Sequence, residues 1–167
     1  MHFLRSERLV LRQLEPCDLF IMHDYRNNPT CARYQRGQLK ELDKIALLIT
    51  KRRDDVLFEG KRGLFAIAKC DTGEMIGEVS LLFEGNTLTM GYTVSYLYHR
   101  QGYAFEILSL LLCEAFERYD SLRVVCRVVE GNKASEGLLF KLGFSPLGYC
   151  SECDALTFVK EGGRECT

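Results

Sequence analysis

The stretch Gly91–Arg118, GYTVSYLYHRQGYAFEILSLLLCEAFER, decides the fold. Tyr92, Val94 and Tyr96 alternate with Thr93 and Ser95, the period of a strand. A polar turn, His99-Arg100-Gln101, leads to Gly102. Beyond it the period becomes helical, with Ala104, Leu108, Leu111, Leu112 and Ala115 on one face. A strand, a glycine turn and a helix in this order leave free N–H groups at the helix start, where the helix dipole favours an anion. Taken alone, the stretch fits phosphate binding and an ordinary strand–helix connection equally well.

Working outward, the chain before it reads as a first strand over Arg8–Leu14, a short helix from Asp18 to about Arg26, and an irregular segment Thr30–Gln38. In this part Tyr25, Arg33, Tyr34 and Arg36 are candidate substrate-facing groups or members of a solvated connection. Leu42, Ile45, Ala46 and Ile49 give the stripe of a second helix, Leu39 to about Val56. A meander of strands follows: Leu64–Lys69, Met75–Phe83 and Thr87–Leu97, joined by Asp71-Thr72-Gly73-Glu74 and Glu84-Gly85-Asn86. After the central helix, Leu122–Val129 alternates strongly. Strand, helix, strand is a crossover, so this strand is expected parallel to Thr87–Leu97. Asn132 or Gly131 caps a further helix, and Phe144–Tyr149 with Ala155–Val159 form a closing hairpin. The polar tail 161–167 reads as frayed. No repeat or linker divides the 167 residues, so a single domain over 1–167 is expected.

The composition is that of an ordinary soluble chain. A formal net charge of -1 gives no general attraction to nucleic acid, and Lys51-Arg52-Arg53 is short and lacks interleaved aromatics. No apolar N-terminal run suggests a secretory signal. The most apolar run, Ile107–Cys113, is too short for a bilayer. The expectation is a cytoplasmic protein without membrane or nucleic-acid partners. Of the eight cysteines, Cys113 and Cys126 lie in apolar patterns and read as core residues. Cys150-Ser151-Glu152-Cys153 is a lone CxxC between strands, not at a helix start and with no histidine near it in sequence, and reads as incidental rather than redox-active or metal-binding.

Four stretches carry a resemblance to the GNAT superfamily of acetyl-CoA-dependent N-acetyltransferases, in the order that family has them. They are Ser6-Glu7-Arg8-Leu9-Val10-Leu11-Arg12, Ile76-Gly77-Glu78-Val79, Gly91-Tyr92 with Gln101-Gly102-Tyr103-Ala104-Phe105-Glu106, and Asn132-Lys133-Ala134-Ser135 with Leu142-Gly143-Phe144. Within it the chain looks most like the ribosomal-protein (RimJ/RimL-type) branch, which modifies protein N-terminal amines. The resemblance implies a mixed α/β (α+β) GNAT fold: a strongly twisted, mostly antiparallel central sheet with helices on both sides. Its fourth and fifth strands, here 87–97 and 122–129, are parallel and splay apart.

The resemblance also implies a cofactor site. The backbone of His99, Arg100, Gln101, Gly102, Tyr103 and Ala104 would cradle the pyrophosphate of acetyl-CoA. The pantetheine arm would lie along Tyr92, Val94 and Ser95, and Asn132 and Lys133 would meet its arm and its phosphate end. The positions where the family often has a catalytic glutamate and tyrosine hold Thr89 and Leu139 here. The chemistry needs a neutral amine, a donor for the carbonyl oxygen and a donor for the departing thiolate. Ser135 and Asn132 are the candidates beside the sulfur, Glu78 is a candidate base, and Tyr149 is a further hydroxyl. His99 fits phosphate contact or packing better than base chemistry.

Three acceptor classes follow: a peptide or protein N-terminus, a small amine such as a polyamine, amino acid or drug, or none, in a binding module without turnover. An acidic cleft would favour a cationic amine, and a groove admitting extended backbone would favour a peptide. The tyrosine-rich segment Tyr92–Tyr98 fits core, cofactor wall or homodimer interface.

Overall fold

The computed structural model describes residues 1–162. Eight strands form one sheet, ordered β1-β2-β3-β4-β5-β6-β8-β7. They are β1 His2–Arg5, β2 Leu9–Arg12, β3 Arg62–Lys69, β4 Met75–Glu84, β5 Thr87–Val94, β6 Arg123–Val128, β7 Ser145–Cys150 and β8 Ala155–Glu161. Among the described residues, only β5 and β6 pair in parallel. The helices are α1 Leu19–Asn27, α2 Pro29–Ala32, α3 Leu42–Arg52, α4 Tyr103–Arg118 and α5 Lys133–Lys141. Their arrangement is the expected one, an open mixed sheet covered on two faces. No helix among the described residues is long and apolar enough to cross a membrane.

Each face has its own apolar core. Ile107, Leu108, Leu111, Leu112 and Ala115 of α4 pack on Leu9, Leu11, Phe65, Ile67, Leu88, Val124 and Cys126, with Leu139 and Leu142 of the α5 region joining them. On the opposite face Met22 and Tyr25 of α1 and Ile45 and Ile49 of α3 pack on Leu64 and Ala66. Two buried ion pairs fix the α1 side. Arg12 forks Asp18 at 2.8 and 2.9 Å, and Arg26 forks Glu78, with its closest contact at 2.6 Å. Glu78 therefore does not face the surface.

Several boundaries differ from expectation. The N-terminal segment is a hairpin, because the short edge strand β1 is only half-covered and leaves little alternation to read. Thr30–Gln38 begins within α2, and the second helix is shorter at both ends than Leu39–Val56. Strand β5 stops at Val94, where Tyr96–Tyr98 turn in a 3-10 helix. Glu161 is the last residue of β8 and the Gly162 N–H donates to the Leu122 carbonyl at 3.0 Å, so neither is frayed. The remainder of that expected tail, 163–167, lies outside the described residues. Cys126 is core, and burial pushes its thiol up to about 12. Cys113 is exposed, because it lies off the Leu108–Leu111–Leu112–Ala115 stripe.

Candidate active site

The site is a fork in the sheet. β5 and β6 pair only at Thr87–Thr89 with Arg123–Val125. Beyond that row β5 stays with β4 as far as Gly77↔Val94, and β6 stays with β8 as far as Val128↔Leu156. The two inner edges therefore part company. Backbone groups alternate in direction along an antiparallel strand. The Ser95 N–H donates to Ile76 of β4 at 2.7 Å, so Thr93, Gly91 and Thr89 also face β4, and Met90, Tyr92 and Val94 face the fork. Ser95 is fully buried and faces the wrong way to pair with a cofactor arm. The Val94 carbonyl is also engaged: His99 Nε2 lies 2.7 Å from it. His99 thus ties the turn to the strand end, the packing reading of that residue. Gly77 permits the tight β4–β5 contact here, since a Cβ on it would lie 2.3 Å from the Thr93 carbonyl oxygen.

At the mouth of the fork stands the start of α4. Gly102 is its N-cap at φ 77°, without a side chain to cap the first-turn N–H groups. The first turn of a helix has no intrahelical acceptors, so those donors remain for an anion. Arg100, exposed, also adopts a left-handed conformation, φ 60°. The turn is clamped from outside. Glu106 accepts from Ser6 Oγ at 2.6 Å, from the Arg8 N–H at 2.9 Å and from Arg8 Nε at 2.7 Å. Arg8 also donates to the Gln101 carbonyl at 2.9 Å and lies over the Tyr103 ring, 4.4 Å from its centroid. Burial would raise the Glu106 carboxyl, but the Ser6 hydroxyl and the Arg8 amide and guanidinium outweigh it and hold it below the ordinary value.

Across the fork, the Tyr92 hydroxyl meets Ser135 Oγ at 2.6 Å. Asn132 caps α5 through the Ser135 N–H at 3.3 Å, which sets Ser135 on the first turn. Burial pushes the Tyr92 phenol above its ordinary value, partly offset by the Ser135 hydrogen bond, so the phenol stays protonated at physiological pH. Lys133 is exposed and pairs with Glu136 at 3.0 Å. Leu139 is fully buried, so its position offers no chemistry.

On the α1–α3 face a cleft of about 540 Å³ opens over the fork. Thr89, Gly91, Thr93, Glu78 and Ser80 lie along it, and residues 35–39, Leu48 and Arg52 wall it. Glu78 accepts from the Tyr25 hydroxyl, from Arg26 Nε at 3.1 Å and Nη2 at 2.6 Å, and from Gln38 Nε2 at 3.3 Å. Burial, then the Glu78 charge, push the Tyr25 phenol far up, and Glu78 raises Arg26 against the opposing effect of burial. Gln38 Nε2 also donates to Thr93 Oγ1 at 3.0 Å, while its Oε1 is buried with no partner among the described residues. Of the loop candidates, Arg36 lines the cleft and pairs with Asp154 at 2.9 Å. Tyr25 is buried beneath the cleft, and Arg33 and Tyr34 stack on each other outside its lining. The Tyr149 hydroxyl is bound to Asp154 at 2.6 Å. Cys150 and Cys153 sit at the β7–β8 turn, and no metal-binding cluster forms around them among the described residues.

The family profile for the acetyltransferase (GNAT) domain matches residues 8–145. The chain belongs to the GNAT acetyltransferase family. It is an acetyl-CoA-dependent acetyltransferase. It is 29% identical over 150 residues to the uncharacterized N-acetyltransferase YoaA of Bacillus subtilis strain 168, covering 87% of this chain and 84% of that protein. The fold is shared with RimL, a ribosomal L7/L12 alpha-N-protein acetyltransferase solved with coenzyme A (TM-score 0.80, 16% identity, 96% of this chain and 98% of that one). It is shared as well with a spermidine N-acetyltransferase from Vibrio cholerae solved with CoA and spermine (TM-score 0.76, 18% identity, 94% and 97%). The residues present suit acetyl-CoA: a strand edge whose Tyr92 and Val94 N–H groups have no strand partner among the described residues, for an amide-bearing arm, and a side-chain-free helix start flanked by Arg8 and Arg100 for a pyrophosphate. On that edge the Tyr92 carbonyl already accepts from Gln35 at 3.5 Å, and the Val94 carbonyl faces His99 at 2.7 Å.

In the sequence Ser6, Arg8 and Glu106 stand only as motif letters without a task. Sequence reasoning missed Gln38, Thr93 and the hydroxyl of Tyr92. Their partners lie 40 to 100 residues away in sequence, so no local spacing signals them.

Proposed function

We propose that this GNAT acetyltransferase moves the acetyl group directly to a primary amine, the N-terminal amine of a peptide or protein, in a ternary complex. This is the reaction of the RimJ/RimL-type branch. The observation that carries the reading is the fork itself: the mouth bears the helix start, and the other side opens to a long cleft floored by β4 and β5. That shape suits an extended chain entering opposite the cofactor.

Acetyl-CoA supplies the activated acetyl group. Gly102–Phe105 N–H groups, with Arg8 and Arg100, would hold its pyrophosphate, and the Met90–Val94 edge would pair with its arm. A fork-facing N–H of β5 receives the carbonyl oxygen as charge builds on it. Gln38 Oε1 accepts one N–H of the incoming neutral amine and thereby orients its lone pair. Glu78 is a positioning residue: forked by Arg26, it is stabilised as a carboxylate and holds Gln38 Nε2 toward itself. Ser135, backed by the Tyr92 hydroxyl, donates to the departing sulfur. A C–N bond forms and the C–S bond breaks; the amine gives up one proton and the sulfur gains one.

A panel of N-terminal peptides and small amines, read by thiol release and product mass, tests the proposal. Acetylated peptide α-amines are expected. Acetyl-CoA binding with no peptide acetylated would overturn it.

A further inference from the structure

The acceptor cleft is basic, not acidic. Arg26, Arg36, Arg52, Arg62 and Arg127 line it, with Glu78 as the one carboxylate among the lining residues. Three of the five are covered: Arg26 by Glu78, Arg36 by Asp154 and Arg52 by Asp55 at 3.7 Å. The guanidinium groups of Arg62 and Arg127 have no carboxylate within 4.0 Å and no hydrogen bond among the described residues. Their placement is set by register. Arg62 pairs across with Leu82, Leu82 with Thr89, and Thr89 with Val125. Arg127 follows Val125 by two residues, so it projects on the same sheet face, level with Gly91 across the fork. Both arginines thus belong to the Thr89–Gly91 end of the cleft.

Gln38, Glu78 and Thr93 mark the other end. Thr89 and Thr93 are four residues apart, roughly 13 Å at about 3.3 Å per residue. Two uncovered guanidinium groups stand at one end, and an unpartnered buried carbonyl oxygen at the other. Guanidinium matches carboxylate in geometry as well as charge. A polyamine would place its second cation among these arginines.

We propose that the acceptor is an amine that carries a carboxylate: a peptide N-terminus with an acidic residue at its second or third position. Its α-amine meets Gln38 and its side-chain carboxylate meets Arg62 or Arg127, which stand on strands three steps apart on the two sides of the cleft. The proposal rests on the peptide-acetylation reading above and names what that site selects.

The test compares matched peptides Ser-Glu-Glu, Ser-Gln-Gln and Ser-Lys-Lys, each followed by the same neutral sequence, with spermidine as a fourth acceptor. Relative kcat/KM is measured for the wild type, for Arg62→Gln with Arg127→Gln, and for Arg62→Glu with Arg127→Glu. The wild type is expected to prefer the acidic over the basic peptide by at least about tenfold, since one charge-assisted contact of about 1.4 kcal/mol converts to that ratio. The Gln pair should flatten the preference, chiefly through KM, and leave the neutral peptide and CoA affinity within about twofold. The Glu pair should reverse it. Acetylation of all peptides alike, a preference unchanged in the Gln pair, or faster turnover of spermidine would overturn this inference while leaving amine acetylation standing. No turnover of any peptide, with acetyl-CoA still bound, would remove both.

Discussion

The proposed cofactor side and the proposed acceptor side of the fork are built from different materials. The proposed cofactor side rests chiefly on a continuous run of chain, Met90 to Glu106, that presents backbone groups, with the side chains of Arg8 and Ser135 added from elsewhere. The acceptor side is assembled from side chains of α1, β3, β4, β5, β6 and the 35–39 loop, held by a buried charge. Backbone sites tolerate sequence change, because nearly any residue supplies an N–H; the exception is Gly102, whose left-handed φ of 77° disfavours other side chains. Side-chain sites are specific and fragile. The lesson is that one domain can keep its donor fixed while its acceptor varies.

The largest way to break this contrast is Arg26→Ala. It would leave the Glu78 carboxylate buried without its partner, a loss of about 3–5 kcal/mol. Thermal unfolding should come earlier by about 10 °C at that cost. In the protein that remains folded, the acceptor KM should rise while CoA affinity holds within a few-fold. Equal losses on both sides would mean that the two regions are not separable.

Ser135→Ala probes the seam between them. Loss of a donor to the departing sulfur should lower kcat about tenfold or more, with CoA affinity and acceptor KM little changed. Tyr92→Phe should do less, because Ser135 keeps its own hydroxyl. A kcat unchanged in Ser135→Ala would assign the departing proton elsewhere.

The smallest effect is expected at Glu106. Its carboxyl is held below the ordinary value in the folded protein, so its contribution is present above the unfolded carboxylate value, about 4.3. It is lost as pH falls through the lower folded value. Glu106→Gln should therefore loosen CoA binding a few-fold near neutrality, and its stability deficit relative to the wild type should shrink on acidification below about pH 4. A deficit that grows on acidification would reverse the assignment.

This division also explains what the sequence disclosed. The strand, turn and helix of the proposed cradle were legible because they follow one another, and because a period change at Gly102 is visible in the letters. The crossover to Leu122–Val129 was legible for the same reason, and its parallel pairing stands. Where β5 ended was not, because Tyr96 continues the alternation although the backbone has already turned. The acceptor side was barely legible: Gln38 reaches Thr93 across 55 residues and Tyr25 reaches Glu78 across 53. Arg62 and Arg127 gave no signal at all, since nothing in the letters shows which arginine lacks a carboxylate.

Amide hydrogen exchange with and without acetyl-CoA tests the central claim most directly. Binding should slow exchange at Gly102–Phe105 and at fork-facing Tyr92 and Val94, and leave 35–39 unchanged until an acceptor peptide is added. Unchanged exchange at Gly102–Phe105 under saturating acetyl-CoA would contradict it.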